Sequence, residues 1–192
     1  MSHAKEIERM FEESIRAKQD ARERLTGRIV EAVETIVSCY RAGGGVFLFG
    51  NGGSAADAQH VAGELVGRFL MERRALKCEA LSTNTSVLTC LANDYDFEMI
   101  FARQLEANAR AGDVAVGLST SGNSPNVVAG LKFARENGMK TIAFTGPGGG
   151  ACADFADVLL DVPTKATPRV QEVHQVIYHA ICELVERAIV DG

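Results

Sequence analysis

"GVFLFGNGGSAADAQHVAGELVGR" (residues 45–68) joins an apolar run, a glycine-rich break and a helix-forming stretch. The run Gly45-Val46-Phe47-Leu48-Phe49 lacks polar alternation, the pattern of a strand buried on both faces rather than one with a wet side. Gly50, Gly52 and Gly53 permit tight turning and close approach of backbone to a ligand. A helix is predicted over 54–69, with Ser54 able to cap it. Strand, glycine loop and helix make the first part of a βαβ unit, and that directs the whole chain toward an α/β fold.

Downstream, the same alternation continues. Short apolar runs at 75–81, 113–119, 140–146 and 157–163 read as further strands. Helical stretches are predicted over 97–109, 124–137 and from Pro168, a good first-turn residue, to Val190. Near-continuous apolar strands separated by helices predict a three-layer α/β/α sandwich around a five-stranded parallel sheet. Upstream, Ile7, Met10, Phe11 and Ile15 form one helical stripe, and Leu25, Ile29, Val33, Ile36, Val37 and Tyr40 form a second, ended by "AGGG" at 42–45. The expected organisation is one domain over 1–192, with N-terminal helices in 1–43 added to an α/β core in 44–192. Those helices carry more apolar stripe than one small domain needs, which marks them as an expected oligomer interface.

Bulk properties narrow the function classes. Charged residues are 23% of the 192, and the formal net charge is −5, so no nucleic-acid surface is expected. No apolar run reaches the roughly 18–20 residues of a membrane helix, and the start carries no signal-like core. The five cysteines are scattered without a CxxC pair and read as reduced thiols. A cytoplasmic protein with no membrane partner is the expectation.

Ligands of parallel α/β sheets bind beyond the carboxyl ends of the strands, and two loops lie there. Loop one, "GNGGS" (50–54), is either a tight βα turn or a site. It has neither GxGxxG spacing nor a following Gly-Lys-Ser/Thr, so no nucleotide cofactor is expected. Loop two, "STSGNS" (119–124), places the hydroxyls of Ser119, Thr120, Ser121 and Ser124 beside a helix start. Four hydroxyls exceed what capping requires; with the helix amides they suit a phosphate dianion.

His60 and Glu64, four residues apart, share a face of the first core helix, and Asp57 lies three residues before His60. Taken alone, such a pair is more often a surface interaction or a satisfied buried histidine than a site. On the last helix Gln171 and His179 lie roughly 80° apart, close enough to converge, whereas His174 and His179 diverge by about 140°. A His/Glu plus Gln/His set suits a borderline divalent ion such as zinc, although spacing alone does not demand one.

Four segments in this order, "GNGGSAADAQHVAGELVGRF" (50–69), "ANDYDFE" (92–98), "STSGNSPNV" (119–127) and "RVQEVHQVIYH" (169–179), closely resemble the phosphoheptose isomerase family of the sugar isomerase (SIS) fold. The resemblance spans essentially the whole chain. It implies interconversion of sedoheptulose 7-phosphate and D-glycero-D-manno-heptose 7-phosphate, the first step toward the heptose of bacterial surface polysaccharides. It further implies that Ser119, Thr120, Ser121 and Ser124 hold the phosphate. Asn51, Gly52, Gly53 and Ser54, with Asn93, Asp94 and Gln171, would contact the sugar. Glu64 and His179 would be the acid/base pair, and one zinc per subunit would be held by His60, Glu64, Gln171 and His179. A homotetramer with sites between subunits is implied as well, in which His179 would meet Glu64 across a chain boundary. Two rivals share the fold: a non-catalytic partner-binding protein like the DnaA initiator-associating protein, and an isomerase for another sugar phosphate. The first lacks residues matching Glu64 and His179; "ANDYDFE" and "RVQEVHQ" argue against the second.

Overall fold

A computed structural model describes residues 2–191. Residues 3–41 form one helix, α1 (His3–Arg41), so both predicted stripes lie on a single unbroken rod rather than on separate helices. The second stripe packs on the body of the protein, with Leu25, Ile36, Val37 and Tyr40 buried, whereas Ile7, Met10, Phe11 and Ile15 are 45–68% exposed. Beyond α1 come β1 (Val46–Gly50), α2 (Gly53–Val66), β2 (Cys78–Ala80), α3 (Thr85–Asp94) and α4 (Ala102–Asn108). The chain then runs through β3 (Val114–Ser119), α5 (Pro125–Glu136), β4 (Lys140–Thr145), β5 (Val158–Asp161) and α6 (Thr167–Val190).

All five strands are parallel, in the order β2-β1-β3-β4-β5. Alternate strand residues feed two cores. Val46, Leu48, Val116, Leu118, Ile142 and Phe144 meet α1, α2 and α6 on one face, and Phe47, Phe49, Ala115 and Ala143 meet α4 and α5 on the other. The predicted three-layer sandwich with an added N-terminal helix is therefore the observed fold. Its strand order reverses direction between β1 and β3, and the crevice at such a switch point is where ligands of open parallel sheets bind. Loop one leaves β1 there, and loop two leaves its neighbour β3, with Gly50 in register with Leu118.

Several boundaries depart from the sequence reading, for local reasons. Helix α2 stops at Val66: the Gly67 N–H makes the last i→i−4 bond, to Gly63, and the amides two to four residues further on are drawn away. Phe69, Leu70 and Met71 all donate to the carboxylate of Glu186 on α6. The strand expected over 75–81 pairs only at Cys78–Ala80, on the sheet edge. The helix expected over 97–109 is a 3₁₀ turn at Phe97–Met99 followed by α4. Helix α3 lies outside the predicted helices; it is capped by Asn84, whose side chain accepts from the Val87 N–H at 3.1 Å. All five cysteines are free, and among the described residues no helix is long and apolar enough to cross a membrane.

Candidate active site

Loop one owes its shape to Gly52, whose φ of +55° lies in the region that favours glycine. Gly52, not Ser54, is the N-cap of α2; Ser54 is already in the helix, with its side chain buried. That burial leaves the loop backbone, rather than the Ser54 hydroxyl, as the surface a ligand meets. Gln171 of α6 packs directly on Gly53, where a Cβ would overlap its amide. Asn51 is tied sideways: its amide donates to Asn126 Oδ1 at 2.8 Å and accepts from Asn126 Nδ2 at 2.9 Å. Asn126 is buried in the first turn of α5, so this reciprocal pair locks the two loops together.

Loop two is built around Ser119, which is only 3% exposed. Its Oγ lies 2.9 Å from Ser124 Oγ and 3.3 Å from Ser121 Oγ, gathering three hydroxyls at the start of α5. Ser121 Oγ also accepts from the Asn123 N–H, and Gly122, at φ +68°, makes the turn. Thr120 is half-buried; its carbonyl accepts from the Gly146 N–H at the end of β4. Beneath that strand end His174, fully buried, donates through Nε2 to the Thr145 carbonyl at 3.1 Å. Burial lowers its pKa to about 4, the Thr145 bond opposing the shift only in part, so this imidazole is neutral. His174 thus belongs to the scaffold under loop two, in keeping with its angular divergence from His179.

The convergent groups lie where α2 packs on α6. His60, Glu64 and His179 present ligand atoms that all fall within 4.8 Å of one another. His60 Nε2 and Glu64 Oε1 are 3.1 Å apart, and the rings of His60 and His179 meet edge to face at 5.1 Å. All three belong to one chain, so the expected meeting of Glu64 and His179 across a subunit boundary is replaced by a meeting within the protomer. A tetrahedral metal with bonds of about 2.0–2.2 Å separates neighbouring donors by roughly 3.3–3.6 Å. Two imidazoles and a carboxylate at the observed spacing therefore suit a divalent ion after small side-chain adjustments. Asn93 and Asp94 stand apart: they are exposed, and within the chain they bond to each other and to Cys90.

Behind the cluster, Phe69 packs over the His179 ring at 5.6 Å between centroids. Arg73, almost wholly buried, donates to the Glu64 and Gly67 carbonyls at 2.8 Å. Its Nε lies 3.2 Å from the Glu186 carboxylate, poorly aligned for a hydrogen bond but close enough to neutralise it. Burial raises the pKa of Glu186, yet the amides of Leu70, Phe69 and Met71, together with Arg73, outweigh it and hold the carboxyl below its ordinary value.

A family model described as the SIS domain matches residues 10–146. The phosphoheptose isomerase of Geobacter sp. strain M21 is 55% identical over 165 residues, 86% of each chain. That of Aquifex aeolicus is 51% identical over 183 residues, 95% of this chain and 96% of the relative. The chain belongs to the phosphoheptose isomerase family. The solved phosphoheptose isomerase of Neisseria gonorrhoeae superposes with a TM-score of 0.92 at 45% identity, over 96% of this chain and 99% of that one. Membership therefore covers the long N-terminal helix as well as the sheet.

Among the phosphoheptose isomerase motifs, sequence reading missed the residues that connect the site. Asn126 and Tyr178 sit inside quoted segments, but an amide beside a serine loop and an aromatic at core spacing carry no signal of their own. Arg73 and Glu186 lie far apart in the chain, and only the packing of α6 against the end of α2 joins them.

Proposed function

We propose that this chain is an aldose–ketose isomerase that converts sedoheptulose 7-phosphate to D-glycero-D-manno-heptose 7-phosphate, the entry to heptose for bacterial surface polysaccharide. The observation that carries this reading is the meeting of His60, Glu64 and His179 where α2, the helix that leaves loop one, packs on α6, in a chain whose second loop gathers three hydroxyls at a helix start. A binding module needs the anion cradle alone; the acid/base cluster is what an isomerase adds.

The reaction moves one proton between adjacent carbons and another between their oxygens through an enediolate. Ser121, Ser124 and Thr120, braced by Ser119 and backed by the α5 amides, would hold the phosphate and fix the far end of the sugar. Asn51, Gly52 and Gly53 would line the sugar with Gln171, Ser54 supporting the loop from beneath. Glu64 and His179, on facing helices, would flank the reacting carbons as the acid/base pair. His60, Glu64, Gln171 and His179 would hold one zinc ion per subunit, which when bound would supply charge stabilisation for the developing oxyanion.

The assembly is read as a homotetramer in the cytoplasm. The uncovered stripe Ile7, Met10, Phe11 and Ile15, with Tyr95 and Phe97 beside Asn93 and Asp94, supports burial against further subunits. In that arrangement Asn93 and Asp94 would complete a sugar site at a subunit boundary. Incubating purified protein with sedoheptulose 7-phosphate tests the activity by the appearance of the aldoheptose phosphate; no product with zinc supplied would refute it. Metal analysis before and after chelation tests the ion, and sedimentation equilibrium tests the tetramer.

A further inference from the structure

Asp57 is the one acid on the site face of α2 that the acid/base chemistry leaves without a task. It is half-buried, and the side chain hydrogen-bonded to it among the described residues is Tyr178. The Tyr178 hydroxyl stands 3.3 Å from Asp57 Oδ1 and 3.3 Å from His60 Nδ1, both at the long end for a hydrogen bond. Its ring is buried and meets the rings of His60 and His179 edge-on, at 5.4 and 4.9 Å, so the phenol cannot swing away without unpacking both.

A phenol has one proton to give, and a carboxylate can only accept. The Tyr178 proton therefore goes to Asp57, which leaves the phenol oxygen as an acceptor facing His60. His60 satisfies it by carrying its own proton on Nδ1. The other ring nitrogen, Nε2, is turned to the Glu64 carboxylate at 3.1 Å; two groups that would each present a lone pair there call for an ion between them. In the reverse orientation Tyr178 would donate to Nδ1, Asp57 would lose its donor, and a proton on Nε2 would block the lone pair that faces the site.

We infer that Asp57 and Tyr178 are positioning residues: they hold a proton on His60 Nδ1 and so reserve His60 Nε2 for the site. The relay is the outer-shell device that metal-ligating histidines commonly use, here with a tyrosine interposed between imidazole and carboxylate. It rests on reading His60 as a site ligand.

Two near-isosteric variants test it in the full-length protein. Tyr178→Phe removes the hydroxyl and keeps the ring, while Asp57→Asn supplies an amide donor that reverses the relay. Zinc affinity, measured by chelator competition, is expected to fall about 10–100-fold in each, with thermal midpoints close to wild type and kcat lowered more than KM is raised. Wild-type zinc affinity in both variants would overturn the relay. If wild-type protein itself takes up no zinc, the metal reading fails and the relay falls with it; on zinc-loaded protein, nitrogen NMR with ¹⁵N-labelled histidine reads the Nδ1 proton directly. A protonated His60 Nδ1 in wild type, lost in Asp57→Asn, upholds it; a bare Nδ1 in wild type overturns it.

Discussion

Helix α6 carries two kinds of polar residue within a few turns, and their contrast explains how one helix both braces and serves the site. On its inner face His174 and Glu186 are fully buried, and the protein supplies donors or acceptors for most of their polar atoms. On the face turned to α2, Gln171 and His179 are half-buried, Gln171 against loop one and His179 against His60 and Glu64. The first pair stabilises the fold because its partners are built in. The second retains capacity for partners that arrive with substrate or metal. Stability and activity should therefore separate cleanly between the two faces.

The largest separation is expected at the acid/base pair. Glu64→Gln and His179→Ala should each lower kcat by about 10²–10⁴-fold, the usual contribution of positioned general acid/base groups, and leave the thermal midpoint nearly unchanged. Near wild-type turnover in either variant would remove that residue from the acid/base pair. Glu186→Gln should do the opposite. It leaves the Arg73 guanidinium buried without its counter-charge, at a cost of about 3–5 kcal/mol of stability by denaturant unfolding. Molecules that remain folded should keep most of their turnover; a stable but inactive variant would mean that Glu186 belongs to the chemistry.

Next comes the phosphate cradle. Ser121→Ala with Ser124→Ala removes two hydroxyl donors to a dianion, each worth about 1.5–3 kcal/mol. The expected outcome is a rise in KM of at least about tenfold, with kcat lowered far less, because Asn51, Glu64 and His179 stay in place. An unchanged KM would move the phosphate off loop two. Ser119→Ala makes a useful companion: its hydroxyl is buried and braces the other two, so it should lower stability as well as affinity.

The fold was legible because strands buried on both faces leave an unambiguous trace: Val46–Phe49, Val114–Leu118 and Ile142–Phe144 read as strands without help from context. Helix α3 was not legible, since its Thr-, Ser- and Asn-rich turns resemble a loop until Leu88 and Leu91 find the core. The candidate groups themselves also stand out in the sequence, through the glycine loop, the serine loop and the four-residue spacing of His60 and Glu64. What joins them does not. Asn51 meets Asn126 and Tyr178 meets His60 across more than seventy residues of chain, and no local period encodes such encounters. For the same reason a single sequence could not tell whether Glu64 meets His179 within one protomer or across two; that depends on how closely α2 packs on α6.

The smallest effect, and the most selective for the inner face, concerns His174. Its folded pKa, about 4, lies below the ordinary 6.5 because burial disfavours the imidazolium. Between those values the unfolded chain binds a proton that the folded chain refuses. Stability is therefore full above pH 6.5 and falls as pH drops toward 4, by at most about 1.4 kcal/mol per pH unit. Glu186, held below its ordinary value of 4.5, gives stability that is present above that pH and lost only under more acid conditions, so the two contributions occupy different windows. His174→Gln, whose amide can still donate to the Thr145 carbonyl, should flatten the slope of unfolding free energy between pH 6.5 and 5, measured by urea midpoints, while the loss at lower pH persists. A slope unchanged by the substitution would show that the proton is taken up elsewhere than at His174.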